Sequence, residues 1–441
     1  MPVMDQAIQN RFDRKLAELF QSEKLPQKVA VAVSGGSDSM ALALLLKQWC
    51  AQNSIHLAAL TVDHRLRPEA AAEADLVGQW LKDYQIEHFV LKGSGEAPSK
   101  GVQEYARDLR YTLISETCRS QKIDHLFVGH QMEDLQETFL MRLSKGSGLN
   151  GLTSLSPLSE NYGLQIVRPL LEFQRSELRA YLQNSNQDWI EDPSNENPVF
   201  TRTAVGNIQK SLVSLSGATQ NSFQLSIKRL SRSNAALEHY VRRFWGECVI
   251  VSEFGFFSVS LSNLLKEPDE IIVRVLGGFI QGLRGHQFRV KLSDLEKLLT
   301  QFSDKEVSAL DFTLSGCRVL LQEDELTFFR ERGRTGLEKM VLDEGTDWIW
   351  DHRFYVQLGE NSLPVQADEK LEIREIGAAG WRQIQEYEIR SEIHDLPVFV
   401  RNSLPAVFKG AKVVAAPLFL GGSGQSGIAM THFEMLFLPL R

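Results

Sequence analysis

The stretch VAVSGGSDSMALALLL, from Val31 to Leu46, constrains this chain more than any other. The β-branched run Lys28–Val33 reads as a buried strand, and the residues from Met40 onward have helical length and composition. Between them lie Ser34, Gly35, Gly36, Ser37, Asp38 and Ser39. Glycines let the backbone turn sharply and approach a ligand closely. The first amides of a helix lack internal partners and carry partial positive charge. The serine hydroxyls add further donors. A strand, this loop and a helix therefore make a cradle for an anion. A bare Ser-Gly turn would only cap a helix, whereas the full six-residue string favours the cradle.

The lysine of the GxxxxGK[ST] loop is missing. That lysine reaches the β- and γ-phosphates and supports γ-phosphoryl transfer. A loop without it is better suited to holding pyrophosphate as a leaving group, which points to attack at the α-phosphate. Asp38 could hold Mg²⁺ near those oxygens. ATP and Mg²⁺ are the expected cofactors.

Strands alternate with helices from about residue 28 to 150. The fold class expected is α/β, a doubly wound parallel sheet, with ligands beyond the carboxyl ends of its strands. Gly146–Gly163 reads as loop-rich, and a composition shift near Ser214–Thr219 as a linker. A mixed, mainly helical part follows, closing on the hairpin-like CRVLLQEDELTFFRE. RGRTG, Arg332–Gly336, reads as a second linker, and the remainder as a small β-rich part. The expected domains are 1–215, 216–332 and 333–441.

No apolar run approaches the ~20 residues that cross a bilayer, and the N-terminal stretch has no signal-peptide centre. A cytoplasmic protein without membrane contact is expected, and a homodimer is compatible with the chain. Cys50, Cys118, Cys248 and Cys317 form neither a CxxC pair nor a zinc pattern. The net charge of −8 counts only weakly against an RNA partner, because binding depends on one face.

Several motifs follow the loop. In TVDHRLRPEA, Asp63, His64 and Arg67 fall near the nucleotide at the end of the second strand. EYARDLRYTLI puts Arg107 and Arg110 one helical turn apart, able to grip phosphate or carboxylate or to snorkel on a solvent face. In GHQMEDLQET, His130, Glu133, Asp134 and Glu137 share one face if the helix starts at His130, with Leu135, Phe139 and Leu140 buried opposite. That polar face suits a metal, a cationic amino acid or a poised base. It also suits plain acidic residues at a helix start. Between Ser226 and Trp245, Lys228, Arg229, Arg232, Arg242 and Arg243 face one acid, Glu238. That segment could follow a phosphate backbone or be a solvated face. Phe244 and Trp245 should pack inward.

The loop resembles the signature of the PP-loop pyrophosphatase superfamily. TVDHRLRPEA resembles the VDHGLR element of tRNA(Ile)-lysidine synthetases, with Arg65 where that family usually has glycine. EYARDLRY is similar to their ARxxRY. GHQMEDLQET is similar to AHHxDDQxET, with Gln131, Glu133 and Leu135 as departures. RLSKGSGLNGL, RPLL with RSEL, and DPSNENPVFTR continue the match in order over roughly residues 30–205.

This resemblance implies that the C2 oxygen of cytidine 34, in the CAU anticodon of an isoleucine tRNA, is adenylated with ATP. The ε-amine of L-lysine then displaces AMP. It implies catalytic roles for Asp38, Arg107, His130 and Asp134, with Mg²⁺ on Asp38. It places ATP against Ser34–Ser39, Asp63, His64 and Arg67, and lysine against Asp134, Glu137 and Arg110. It places tRNA against Arg142, Lys145, Arg202, Lys228, Arg229 and Arg232, and makes both later domains tRNA-contacting. A tRNA thiolation enzyme of the same superfamily is one alternative, though isolated cysteines disfavour it. A non-catalytic, ATP-gated RNA-binding protein is the other.

Overall fold

The computed structural model describes residues 3–21, 24–65, 69–93, 102–191, 220–285, 288, 290–302, 309–342, 347–358, 371–420 and 433–437. The chain divides into two compact units, Met1–Ala235 and Ala236–Arg441.

The first unit begins with helix α1 (Val3–Leu19). It then alternates β1 (Lys28–Ala32), α2 (Ser37–Asn53), β2 (His56–Asp63), α3 (Ala70–Asp83), β3 (Glu87–Lys92), α4 (Val102–Ser120), β4 (His125–Phe127) and α5 (Met132–Leu143). A short α6 (Leu149–Leu152), the strands β5 (Leu158–Asn161) and β6 (Leu164–Val167), a 3₁₀ turn (Pro169–Glu172) and α7 (Arg175–Asn184) follow. The sheet order is β3-β2-β1-β4-β6-β5. All pairings are parallel except β5 with β6.

The expected doubly wound sheet is therefore present. β1 and β2 are apolar runs because helices cover both faces. On one face α1, α2, α3 and α7 bury Phe12, Leu42, Val77 and Leu178. On the other, Tyr111, Ile114 and Cys118 of α4 pack over Ala30, Leu60, Leu126 and Ile166. Strand order reverses at β1, which has β2 on one side and β4 on the other. This is where an open α/β sheet leaves a crevice at its carboxyl edge.

Gly146–Gly163 is less irregular than expected. Tyr162 and Gly163 both have positive φ, 53° and 70°, and join β5 to β6 as a two-residue hairpin turn of the primed kind. Edge strand β5 is polar and half-exposed, so it shows no apolar alternation in sequence.

Helix α8 (Gln220–Cys248) begins in the first unit and ends in the second. In the first unit, Phe223, Ile227 and Leu230 pack against Leu135 and Phe139 of α5, with Phe139 and Phe223 edge to face at 5.3 Å. In the second unit, Phe244 is buried and Trp245 packs against Phe257 and Phe279, inward as expected.

The second unit holds an antiparallel sheet of β7 (Val249–Ser252), β8 (Phe256–Ser260), β9 (Ala309–Leu314), β10 (Cys317–Gln322) and β11 (Glu325–Arg330). Helices α9 (Asp269–Arg284) and α10 (Leu292–Phe302) share its core. The expected hairpin is β10–β11. Two small sheets follow, with a core around Trp350, Phe354, Ile373 and Phe419. The expected linker Arg332–Gly336 is pinned at both ends. The guanidinium of Arg332 grips Glu375 bidentately, and the Leu337 amide donates to the same carboxylate. Ser214–Thr219 lies outside the described residues.

Candidate active site

The loop after β1 turns at Gly35, whose φ of +87° favours glycine. A Cβ there would meet Ile190 Cδ1 at 2.7 Å. Ile190 also donates its amide to the Gly35 carbonyl at 2.9 Å, so the segment after α7 braces the loop from behind. Gly36 is the N-cap of α2 and makes no side-chain cap bond, which leaves the helix start open to an external acceptor. Ser39 Oγ donates to the Gly36 carbonyl at 3.0 Å and accepts from the Ser34 amide at 3.2 Å. The loop is thus held by its own hydroxyls before any ligand arrives.

The end of β4 closes against this loop. A Cβ on Gly129 would lie 3.1 Å from the Asp38 carbonyl carbon and from Ser39 backbone atoms. Only a residue without Cβ permits that approach, and it brings His130 beside the cradle. His130 precedes α5 instead of starting it. The N-cap is Gln131, whose side chain accepts from the Glu133 amide while Asp134 accepts from the Gln131 amide. The expected shared helical face therefore reduces to Glu133, Asp134 and Glu137. The opposite face buries Leu135, Phe139 and Leu140 as expected.

Arg175, the first residue of α7, ties these pieces together. Its Nε donates to Asp38 at 3.2 Å and its Nη2 lies 3.7 Å from Asp134. Its backbone amide donates to both oxygens of Glu133, at 3.2 and 3.3 Å. In sequence RSEL stands only as one motif in the ordered match, and this residue was missed. The available signal was an arginine at N1, where positive charge is poorly placed unless something anionic faces it.

Burial pushes the Asp38 carboxyl above the usual range, Arg175 pulls it back down, and Asp134 adds to the rise. Burial likewise raises Glu133. Burial works against the charge on Arg175, but Asp38 and Asp134 outweigh it and hold the group firmly charged.

At the end of β2, Asp63 is buried and accepts from the Arg65 amide at 2.8 Å. Arg65 has φ +53°, so the left-handed turn is kept although the side chain is not glycine. His64 Nε2 accepts from Arg110 Nε and lies 3.2 Å from Arg110 Nη2. Burial first, and Arg110 second, lower the His64 pKa. Arg107 lies over the Tyr111 ring at 5.1 Å.

Arg142 donates to the Gly151 carbonyl at 2.9 Å and so holds the glycine-rich loop. Lys145, Lys228, Arg229 and Arg232 are exposed, with Lys228 3.8 Å from Glu172. Arg67 and Arg202 lie outside the described residues.

Mg²⁺ takes hard oxygen ligands, often one or two carboxylates plus phosphates and water. Asp38 and Asp134, both close to Arg175 at the mouth of the cradle, fit that donor set. Among the described residues no cluster of three or more His, Cys, Asp or Glu is arranged to hold a metal by itself, so nucleotide phosphates would have to complete the shell. Cys50, Cys118 and Cys317 are buried, their thiols pushed up to about 12 by burial. Such thiols are poor nucleophiles.

A family described as PP-loop domain matches residues 8–212. The tRNA(Ile)-lysidine synthase of Wolbachia pipientis wMel is 33% identical over 398 residues, 88% of each chain. That of Hyphomonas neptunium is 35% identical over 319 residues, 70% of this chain and 83% of its own.

The chain belongs to the tRNA(Ile)-lysidine synthase family.

A U34-tRNA thiolase structure from Methanococcus maripaludis, with its [4Fe-4S] cluster, aligns with TM-score 0.44 at 19% identity. It covers 51% of this chain and 79% of that chain, a likeness too slight to bear on function. Family membership accounts for the order of the motifs. The departures at Gln131 and Glu133 have local roles here, since Gln131 caps α5 and Glu133 caps α7.

Proposed function

We propose that this protein ligates lysine to C2 of cytidine 34 in the CAU anticodon of tRNA(Ile), through an adenylated tRNA intermediate. The observation that carries the reading is the placement of a lysine-free phosphate cradle, Ser34–Ser39, against the carboxylates of α5 in a chain of this family. In the first step the cytidine C2 oxygen attacks the α-phosphate of ATP and pyrophosphate leaves. The cradle amides and the hydroxyls of Ser34, Ser37 and Ser39 receive the departing anion. Asp63 and His64, with Arg67, flank the nucleotide. Arg107 adds positive charge where the α-phosphate becomes pentavalent.

In the second step the ε-amine of lysine attacks C2 and AMP leaves. Asp134 and Glu137 pair with the ammonium, Arg110 contributes to the amino-acid pocket, and His130 is placed to take a proton. Mg²⁺ would be held by Asp38, supplying charge neutralisation to the phosphates when bound. Arg175 positions Asp38 and Asp134 and offsets part of the burial that raises the Asp38 carboxyl.

The surface of Lys145, Lys228, Arg229 and Arg232, with Arg142 and Arg202, carries the tRNA, together with the parts of the chain beyond residue 215. A reducing cytoplasmic setting agrees with buried, unpaired thiols. Among the described residues no helix is long and apolar enough to cross a membrane.

The direct test incubates the protein with ATP, Mg²⁺, heavy-isotope lysine and a CAU-anticodon isoleucine tRNA, then weighs the nucleoside at position 34. Cytidine carrying heavy lysine is expected. Unmodified cytidine from folded, ATP-binding protein would sink the reading and leave the ATP-gated binding protein.

A further inference from the structure

At the carboxyl end of β6, one strand beyond β4, stands Arg168. It is 7% exposed. Its Nη1 donates to the Ser156 carbonyl at 3.0 Å and to Ser159 Oγ at 2.8 Å. Its Nε is fully buried with no hydrogen-bond partner. No carboxylate pairs with it among the described residues. The groups that act on it are the Tyr111 phenol and Arg107, which repels it. Arg107 itself lies over the Tyr111 ring, and Tyr111 stacks on Tyr162 at 5.2 Å with planes 3° apart. The nearby carboxylate, Asp108, accepts from the Tyr162 hydroxyl at 2.9 Å.

A buried guanidinium without a counter-ion is expensive, and proteins normally pair such charges. Here a second arginine stands near instead of an acid. The site is recessed between α4 and the β5–β6 hairpin, on the α4 face of the sheet. A guanidinium this enclosed suits one small anionic group better than a nucleic-acid backbone. It also neighbours the segment that leads into α5. Val128 donates its amide to the Val167 carbonyl, and Met132 donates to that of Phe173. The segment leading into α5 thus runs alongside the segment that carries Arg168.

We infer that Arg168 binds the α-carboxylate of the incoming free amino acid, while the carboxylates of α5 take the opposite, cationic end. This rests on the ligase reading above. One end of the pocket would read the negative charge and the other the positive charge. The site would therefore select a free amino acid over a simple diamine. Nucleotide phosphate is the other small anion within the same chemistry, and the test separates the two.

The experiment compares lysine with cadaverine, which keeps the amine and lacks the carboxylate, in full-length wild-type protein and in Arg168→Met and Arg168→Lys variants. Adenylation is followed separately as tRNA-dependent pyrophosphate release. In the Arg168→Met variant KM for lysine should rise about 10- to 100-fold, as for a lost charge-assisted hydrogen bond. Cadaverine should be used as before, and Arg168→Lys should recover part of the preference. An Arg168→Met variant that still prefers lysine over cadaverine as strongly as wild type overturns the proposal. So does a rise in KM for ATP with lysine unaffected, which would assign the site to phosphate. If Arg168→Met fails to fold, Arg168→Lys alone decides, since an unchanged lysine preference together with a raised KM for ATP again assigns phosphate. A wild-type protein that adds neither amine to tRNA refutes the ligase reading itself.

Discussion

Asp38 shows how a single residue trades stability for chemistry. Its folded-state pKa is raised by burial, so the ionised form costs the fold free energy. That cost is absent below the ordinary value of 3.8 and complete once the pH exceeds the raised value. An Asp38→Asn variant should lose lysidine formation by about 10²-fold or more yet melt no lower than wild type at pH 7. The melting advantage should shrink as the pH falls toward 3.8, which calorimetry across a pH series would read; a variant that melts lower at pH 7 contradicts this account. Arg65 illustrates the opposite case. Its left-handed backbone costs about 1 kcal/mol in a residue with a Cβ, so Arg65→Gly should stabilise the first unit by about 0.5–1 kcal/mol in denaturant melts. The glycine that this family usually carries there was legible as a departure in the sequence. That the turn survives without it was not, because backbone conformation at one residue is set by the Asp63 carboxylate that receives its amide.

At the level of elements, three helix starts converge: α2 offers its amides, and α5 and α7 bring carboxylates and Arg175. Removing Arg175 would leave Asp38, Asp134 and Glu133 without their shared cation. The Asp38 and Glu133 pKa values should then rise further, so an Arg175→Met variant should move the acid limb of tRNA-dependent pyrophosphate release to higher pH by about one unit. An unmoved limb would show that Arg175 does not hold these groups ionised. Helix α8 makes a separate prediction. Its apolar stripe, Phe223, Ile227 and Leu230, is used up on α5, while Lys228, Arg229 and Arg232 remain exposed. Reversing these charges (Lys228→Glu, Arg229→Glu, Arg232→Glu) should weaken tRNA binding and reduce the slope of log affinity against log salt by about two to three. ATP binding should be unaffected. No change in slope would mark the helix as a solvated face.

Over the whole molecule, the second unit is stitched by charge where the sequence suggested a linker. Asp351, 6% exposed at its side chain, accepts from Arg330 at 3.1 and 3.2 Å and from Arg353 at 2.7 Å. Arg353 is fully buried and also donates to the Gly255 carbonyl. These contacts join β11, the β7–β8 turn and the turn at Asp351–Arg353. An Asp351→Asn variant would leave the buried Arg353 and the half-buried Arg330 without their carboxylate and should destabilise this unit by about 3–5 kcal/mol. The transition of the first unit should not move, which differential scanning calorimetry would resolve.

The sequence by itself determined the parallel sheet, the cradle after β1 and the family to which the chain belongs. Each of these depends on local pattern: apolar runs bounded by glycine and polar turns, in a fixed order. It also put the candidate motifs at strand ends, where ligands collect in this architecture. Tertiary structure alone decided which charges meet. Arg175 is 137 residues from Asp38, and Arg168 lies far along the chain from Arg107, yet the sheet brings each pair to one edge. Burial decided the rest. A guanidinium in solvent says little, whereas one enclosed without an acid at Arg168, or between carboxylates at Arg175, acquires its meaning from the loss of water around it.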